Sequence, residues 1–258
     1  MDENHLRVVL NSSKVLNAWL TIPSTWVAEI FVNSKFQAIT IDMQHGLIGY
    51  SEARNMLQVI SPKTVFPIVR VPWNEPGIIM KVLDAGAMAV ICPMINNKEE
   101  AIQFVKSCKY SPVGSRSLGP IRSSVIYGTE YAKSANDYVL ALVMIETKEG
   151  LENLDEILDV DGVDGVYVGT MDLSLSLGIS DLGNIYDDTL NKALKTIISK
   201  VKNKKLIAGI HVNSSNVKTL IEIGYDIVTP INDTKVLIDG SNQIFNEITK
   251  IMNQEFNK

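Results

Sequence analysis

Cysteine is nearly absent: Cys92 and Cys108 are the two in 258 residues. They match no CxxC, zinc-ribbon or disulfide-framework spacing, so the expectation is a pair of buried, reduced thiols. Also missing is any long block of one charge. Lysine and arginine number 24 against 29 aspartate and glutamate, a net charge of -5, which argues against a general nucleic-acid footprint. Any anionic substrate must then be met by a local positive group. No run approaches the roughly 20 apolar residues of a membrane span. Met1 to Val9, with Asp2, Glu3, His5 and Arg7, lacks the basic start and apolar middle of a secretory signal, and the expected compartment is the cytoplasm. Linkers rich in Pro, Ser and Gly are absent too, so residues 1–258 are expected to form a single domain. What is present is apolar residue in quantity, 46% of the chain, enough for a sizeable core.

The apolar residues fall into a repeating order. Val15 to Ile22 has the character of a strand, followed by Ser24 as N-cap of a helix through Phe31. Phe36–Ile41, Thr64–Val69, Ala87–Cys92, Ala141–Ile145, Gly165–Val168, Leu206–Ile210 and Asp226–Val228 are further strands. Helical spacing lies between them over about Ser51–Ile60, Pro76–Leu83, Lys98–Ser107, Lys148–Leu158, Leu190–Lys202 and Ser214–Ile223, with a last amphipathic stretch to the end. Eight strand–helix units in about 250 residues have the rhythm of a (β/α)8 TIM barrel, an α/β fold whose chemistry sits at the carboxyl ends of its strands. One irregular stretch, Tyr110 to Tyr127, holds Pro112, Gly114, Gly119, Pro120, Arg116 and Arg122. A loop of that length is more often functional than accidental.

The strand ends supply a short list of polar groups. Trp19 is near the first; Asp42, Gln44 and His45 follow the second; Arg70 follows the third. Glu146 follows the fifth, Gly169 to Asp172 the sixth, and His211 the seventh. A strand buried on both faces should not hold a carboxylate within its run, but its carboxyl end can present one. Parallel strands point those ends to one side, so Glu146 and Asp172 could grip one divalent cation. The alternative is that they are a loop residue and a helix N-cap. Arg70 is either a rim salt bridge or a permanent fork of donors for a developing oxyanion. Histidine is the side chain that most readily moves a proton near neutral pH, and His45 is the candidate here. The start of the helix at Thr170, Met171 and Asp172 offers free N–H groups to an anion.

IDMQHGLIGY (41–50), VRVPWNEP (69–76), LDAGAMAVICPM (83–94), YSPVGSRSLGP (110–120), MIETKEGLENLDEIL (144–158) and GVDGVYVGTMDLSLSLG (162–178) together resemble the HpcH/HpaI aldolases, metal-dependent class II pyruvate aldolases. The resemblance runs from about Trp19 to Pro230. It implies a (β/α)8 barrel assembled as a hexamer, with the C-terminal helix exchanged between subunits. It also implies a lyase that cleaves a 4-hydroxy-2-oxo acid to pyruvate and an aldehyde, or runs the reverse condensation. By the resemblance Glu146 and Asp172 are the metal ligands, for Mg2+, Mn2+ or Co2+, Arg70 steadies the keto oxygen, and His45 is the acid/base group. N–H groups around Met171 and Asp172 take the pyruvate carboxylate. Asp42 and Asp84 are candidates to orient His45, Asp84 only from a neighbouring subunit, while Trp19, Arg116 and Arg122 are expected to wall the aldehyde side. Three departures stand out against the family pattern: Met144 where Gln is frequent, Gln44 where Glu occurs, and Gly-Thr-Met-Asp in place of Gly-Pro-Ala-Asp.

Three other functions stay open at this point. A Schiff-base aldolase needs a lysine at a strand end, and only Lys148 is near one. An acyl-CoA carbon–carbon lyase needs a basic groove that the balanced charge does not offer. A non-catalytic barrel binding a 2-oxo acid is the third.

Overall fold

A computed structural model describes residues 9–10, 13–60 and 65–256; the first eight residues, on which the absence of a signal was read, and Thr64 lie outside them. Eight parallel strands close into one barrel in sequence order: β1 (Val15–Leu20), β2 (Ala38–Asp42), β3 (Phe66–Arg70), β4 (Ala89–Cys92), β5 (Leu140–Ile145), β6 (Gly165–Val168), β7 (Ile207–His211) and β8 (Ile227–Asn232). Between and after them lie α1 (Thr25–Val32), α2 (Tyr50–Val59), α3 (Pro76–Asp84), α4 (Lys98–Cys108), α5 (Ile121–Tyr127), α6 (Tyr131–Tyr138), α7 (Lys148–Glu152), α8 (Leu154–Leu158), α9 (Thr170–Ser176), α10 (Asp188–Asn203), α11 (Val217–Ile223) and α12 (Asp233–Phe256).

The alternation of side chains along each strand separates two cores. Leu140, Leu142 and Met144 of β5 join Trp19, Ile68, Ile91 and Tyr167 in the barrel interior. Ala141, Val143 and Ile145 face outward into the layer shared with the helices. The same parity fixes what reaches the carboxyl-end mouth. Arg70 follows Ile68 by two residues, Glu146 follows Met144, and His211 follows Gly209. Gly209 leaves space for Tyr167, whose ring would be 2.5 Å from a Cβ there. Below the mouth the apolar interior holds one polar cluster: the Asn17 amide donates to Thr40 Oγ1 and Thr229 Oγ1 at 2.9 and 2.7 Å, and the Tyr167 hydroxyl pairs with Thr229.

Three sequence expectations shift. The eighth strand continues to Asn232, past Pro230, because Leu16 pairs with Val228 but Ala18 pairs with Ile231. That extra residue on β8 is a bulge, where a proline without an N–H is tolerated. The helix over Lys148–Leu158 is two short helices separated at Asn153, whose Nδ2 donates to the Asn96 carbonyl at 2.9 Å. The irregular stretch ends in α5, and α6 follows it. Arg122 and Ser123 of α5 donate to the carbonyls of Ala85, Leu57 and Leu83, near the carboxyl ends of α2 and α3, groups that a helix cannot satisfy internally.

Candidate active site

Asp42 and Arg70 are register partners at the ends of β2 and β3. Arg70 Nε donates to Asp42 Oδ1 at 2.8 Å and Nη2 to Oδ2 at 2.6 Å, the parallel two-bond geometry that suits guanidinium to carboxylate. Trp19 Nε1 also donates to Asp42, at 3.2 Å, and the guanidinium lies 5.0 Å from the Trp19 ring centroid. Backbone N–H groups of Gln44 and His45 complete the set around Asp42, at 3.0 and 3.3 Å. Burial raises the Asp42 pKa, but the bonds and charge of Arg70, with the Trp19 and Gln44 donors, outweigh it and hold the carboxyl below its ordinary range. Asp42 therefore supports His45 through the backbone, while its side chain belongs to Arg70 and Trp19.

Glu146 follows β5 directly and is 2% exposed. Its Oε1 accepts from the Met94 N–H at 2.8 Å. Met94 makes that donor available by taking a positive φ of 55°, a conformation costing about 1–3 kcal/mol for a residue with a side chain. Burial raises the Glu146 pKa; the Met94 N–H and the Arg70 charge lower it, the Asp172 charge raises it, and the net direction is up. Asp172 sits in the first turn of α9, exposed, and lines the same cavity. A partly desolvated carboxylate that feels the charge of a second one in the same cavity, with no basic side chain bonded to either among the described residues, is a donor set that fits a divalent cation. Among the described residues no group of three His, Cys, Asp or Glu could hold a metal. Two protein carboxylates on one cation would leave coordination positions for substrate and water.

The cavity measures about 360 Å³. Trp19, His45, Arg70, Glu146, Thr170, Met171 and Asp172 all line it, so the candidates from the ends of β1, β2, β3, β5 and β6 converge. Met144 lines it as well. A larger depression of about 540 Å³ is lined only by residues of α10; no strand end reaches it, and the barrel chemistry does not belong there.

Other expectations fail. Arg116 and Arg122 do not wall this cavity. Arg116 is buried against Asp84, 2.6 Å away, and over the rings of Tyr110 and Tyr131, while Arg122 is spent on helix-end carbonyls. Asp84, as expected, ends α3, ahead of β4, at the opposite barrel face, and does not touch His45 of its own chain. Lys148 is well exposed, 3.8 Å from Glu152, and lines no part of the cavity, so a Schiff base to it finds no support. Missed by sequence reasoning were Met94, whose N–H meets Glu146, and Asn213, Asn232 and Lys235, which line the cavity. Asn232 lies four residues past Val228, where the apolar run of the eighth strand ends, and a positive φ at Met94 has no sequence signal.

Comparison with known proteins agrees with this fold. A model of the HpcH/HpaI aldolase/citrate lyase family matches residues 16–240. A hydroxypyruvate/pyruvate aldolase of Rhizorhabdus wittichii is 38% identical over 247 residues, covering 93% of this chain and 97% of its own. A 4-hydroxy-2-oxo-heptane-1,7-dioate aldolase of Escherichia coli is 32% identical over 240 residues, covering 91% of each. Among solved structures, a HpcH/HpaI aldolase/citrate lyase family protein from Burkholderia cenocepacia superposes with a TM-score of 0.87 at 26% identity, covering 95% of this chain and 98% of its own.

Proposed function

Because the chain belongs to the HpcH/HpaI aldolase/citrate lyase family, we propose that it is a cytoplasmic class II pyruvate aldolase. It cleaves a 4-hydroxy-2-oxo acid to pyruvate and an aldehyde, or joins them in reverse. The observation that supports this most is the buried Glu146 carboxylate, sharing a cavity with Asp172 and the paired Arg70.

Glu146 and Asp172 would hold the divalent cation, and all-oxygen ligation suits Mg2+, Mn2+ or Co2+. When bound, the cation acts as a Lewis acid toward the substrate's keto oxygen; a contribution on the order of 4 kcal/mol is roughly a thousandfold in rate. Arg70 supplies a second positive group to the oxygen on which charge develops as the enolate forms. Its plane is already fixed by Asp42 and Trp19, so little reorganisation accompanies the reaction. Backbone N–H groups of Thr170, Met171 and Asp172 receive the pyruvate carboxylate. His45, exposed at the mouth, takes the proton from the C4 hydroxyl in cleavage and returns it to the aldehyde oxygen in condensation. Gln44 contributes its N–H to Asp42, and Trp19 forms the floor.

A homo-hexamer built by exchange of α12 is part of the same proposal. Leu237, Ile238, Ile244, Phe245, Ile248 and Met252 of α12 are all more than half exposed, which supports a partner surface. In that assembly Asp84 could support the His45 of a neighbouring copy.

The deciding experiment follows pyruvate release from a panel of 4-hydroxy-2-oxo acids, with added Mn2+ and with chelator, for the wild type and Glu146→Ala. Metal-dependent turnover in the wild type and its loss in the variant are expected; equal activity of the two in metal-replete buffer would refute the proposal.

A further inference from the structure

One wall of the cavity is polar without being used by the steps above. His211 ends β7 with its ring against Trp19, centroids 5.2 Å apart, and it lines the cavity. Its carbonyl accepts from Thr170 Oγ1, but its ring nitrogens make no hydrogen bond with any described residue. Burial and the charge of Arg70 push its pKa down to about 4, against the pull of Asp42, so at neutral pH the ring has one N–H donor and one acceptor. Asn213 and Asn232 line the same side. Asn232 gives its oxygen to the Lys235 N–H at 2.7 Å and keeps its amide donors, and the Asn213 side chain has no partner among the described residues.

The barrel order assigns this wall to one half of the substrate. Arg70, Glu146 and Asp172, proposed to hold the 2-oxo acid, come from the ends of β3, β5 and β6. The groups on β7 and β8 fill the arc from β6 round to β1, across the mouth from Arg70 on β3, and form the part of the wall that a 2-oxo acid held from β3, β5 and β6 leaves over. A half-buried imidazole whose hydrogen-bonding groups go unused rejects an apolar occupant, because that occupant would leave them unpaired.

We propose that His211 is a specificity-determining residue: with Asn213 and Asn232 it hydrogen-bonds a hydroxyl on the aldehyde half of the substrate, so hydroxyaldehydes are preferred to alkyl aldehydes of equal size. This rests on the aldolase function proposed above. The test compares kcat/KM for condensation of pyruvate with glycolaldehyde and with propionaldehyde, which have the same number of heavy atoms, in wild type, His211→Phe and His211→Gln. Phe keeps the ring against Trp19 and removes both nitrogens. The wild type should favour glycolaldehyde by about tenfold or more. His211→Phe should lose that preference with little change for propionaldehyde or for oxaloacetate decarboxylation, and His211→Gln should keep part of it. An unchanged aldehyde ratio in His211→Phe overturns the assignment. So does a change seen only when hydroxypyruvate replaces pyruvate, which moves the hydroxyl contact to the donor. Loss of decarboxylation in both variants makes His211 structural and also overturns it. No turnover of either aldehyde by the wild type sinks the aldolase function itself, and the specificity proposal with it.

Discussion

Gly169 has no room for a methyl group. A Cβ there would sit 2.5 Å from Glu146 Oε2 and 2.9 Å from Glu146 Cβ, so Gly169→Ala must displace the carboxylate proposed to hold the cation. The expected result is a fall in metal affinity of about tenfold or more with the barrel intact, since misplacing one group by about 1 Å can cost a hundredfold in rate; isothermal titration with Mn2+ and far-ultraviolet circular dichroism check the two halves. The glycine is visible in the sequence, but its purpose is not, because it depends on a side chain from the neighbouring strand. Asp42 gives a second residue-scale prediction. Its folded pKa is lowered, so the stability it contributes is full above the unfolded value near 3.8 and is lost as pH falls through the folded value. Asp42→Asn leaves Arg70 buried without its counter-charge, which costs about 3–5 kcal/mol for a buried pair. The stability gap between wild type and variant should stay constant from about pH 5 to about 8 and close in stronger acid, as measured by urea unfolding. Both Asp42 and Arg70 were legible at strand ends. That they pair with each other, leaving only the backbone for His45, was not, because pairing depends on the β2–β3 register.

At the scale of elements, the strand ends carry the site and the helix ends carry the opposite face. Parity explains why Arg70, Glu146 and His211 were readable: each lies two positions beyond an interior residue of its strand. It also explains the error at β8, where the bulge at Pro230 breaks the pattern and conceals Asn232. The irregular stretch before α5 misled for a different reason. Its arginines look like anion-binding groups, but Arg116 is buried with Asp84 and Arg122 closes helix-end carbonyls. Arg116→Ala is therefore expected to cost about 3 kcal/mol in stability, as breaking a buried pair does, with the ratios of kcat/KM among aldehydes unchanged. A changed aldehyde preference would return Arg116 to the cavity wall.

At the scale of the whole molecule, the eightfold rhythm of apolar runs suffices for the barrel, because each run needs cover on both faces and only strand–helix repetition provides it. The surface of α12 is the part a single chain does not explain. Ile244, Phe245 and Ile248 are 60%, 69% and 51% exposed, although apolar groups of that size usually find cover. If α12 is exchanged between copies, Ile244→Asp with Ile248→Asp should convert a hexamer to smaller species in sedimentation velocity. An unchanged sedimentation coefficient would show that this face does not hold the assembly.

The central claim is that Glu146 and Asp172 share one cation at the mouth of the barrel, and anomalous diffraction from crystals grown with Mn2+ and oxalate tests it most directly. The expected map has one strong manganese peak in contact with both carboxylates and with oxalate, near Arg70. A peak bound to neither carboxylate, or to only one of them with oxalate elsewhere, would contradict it.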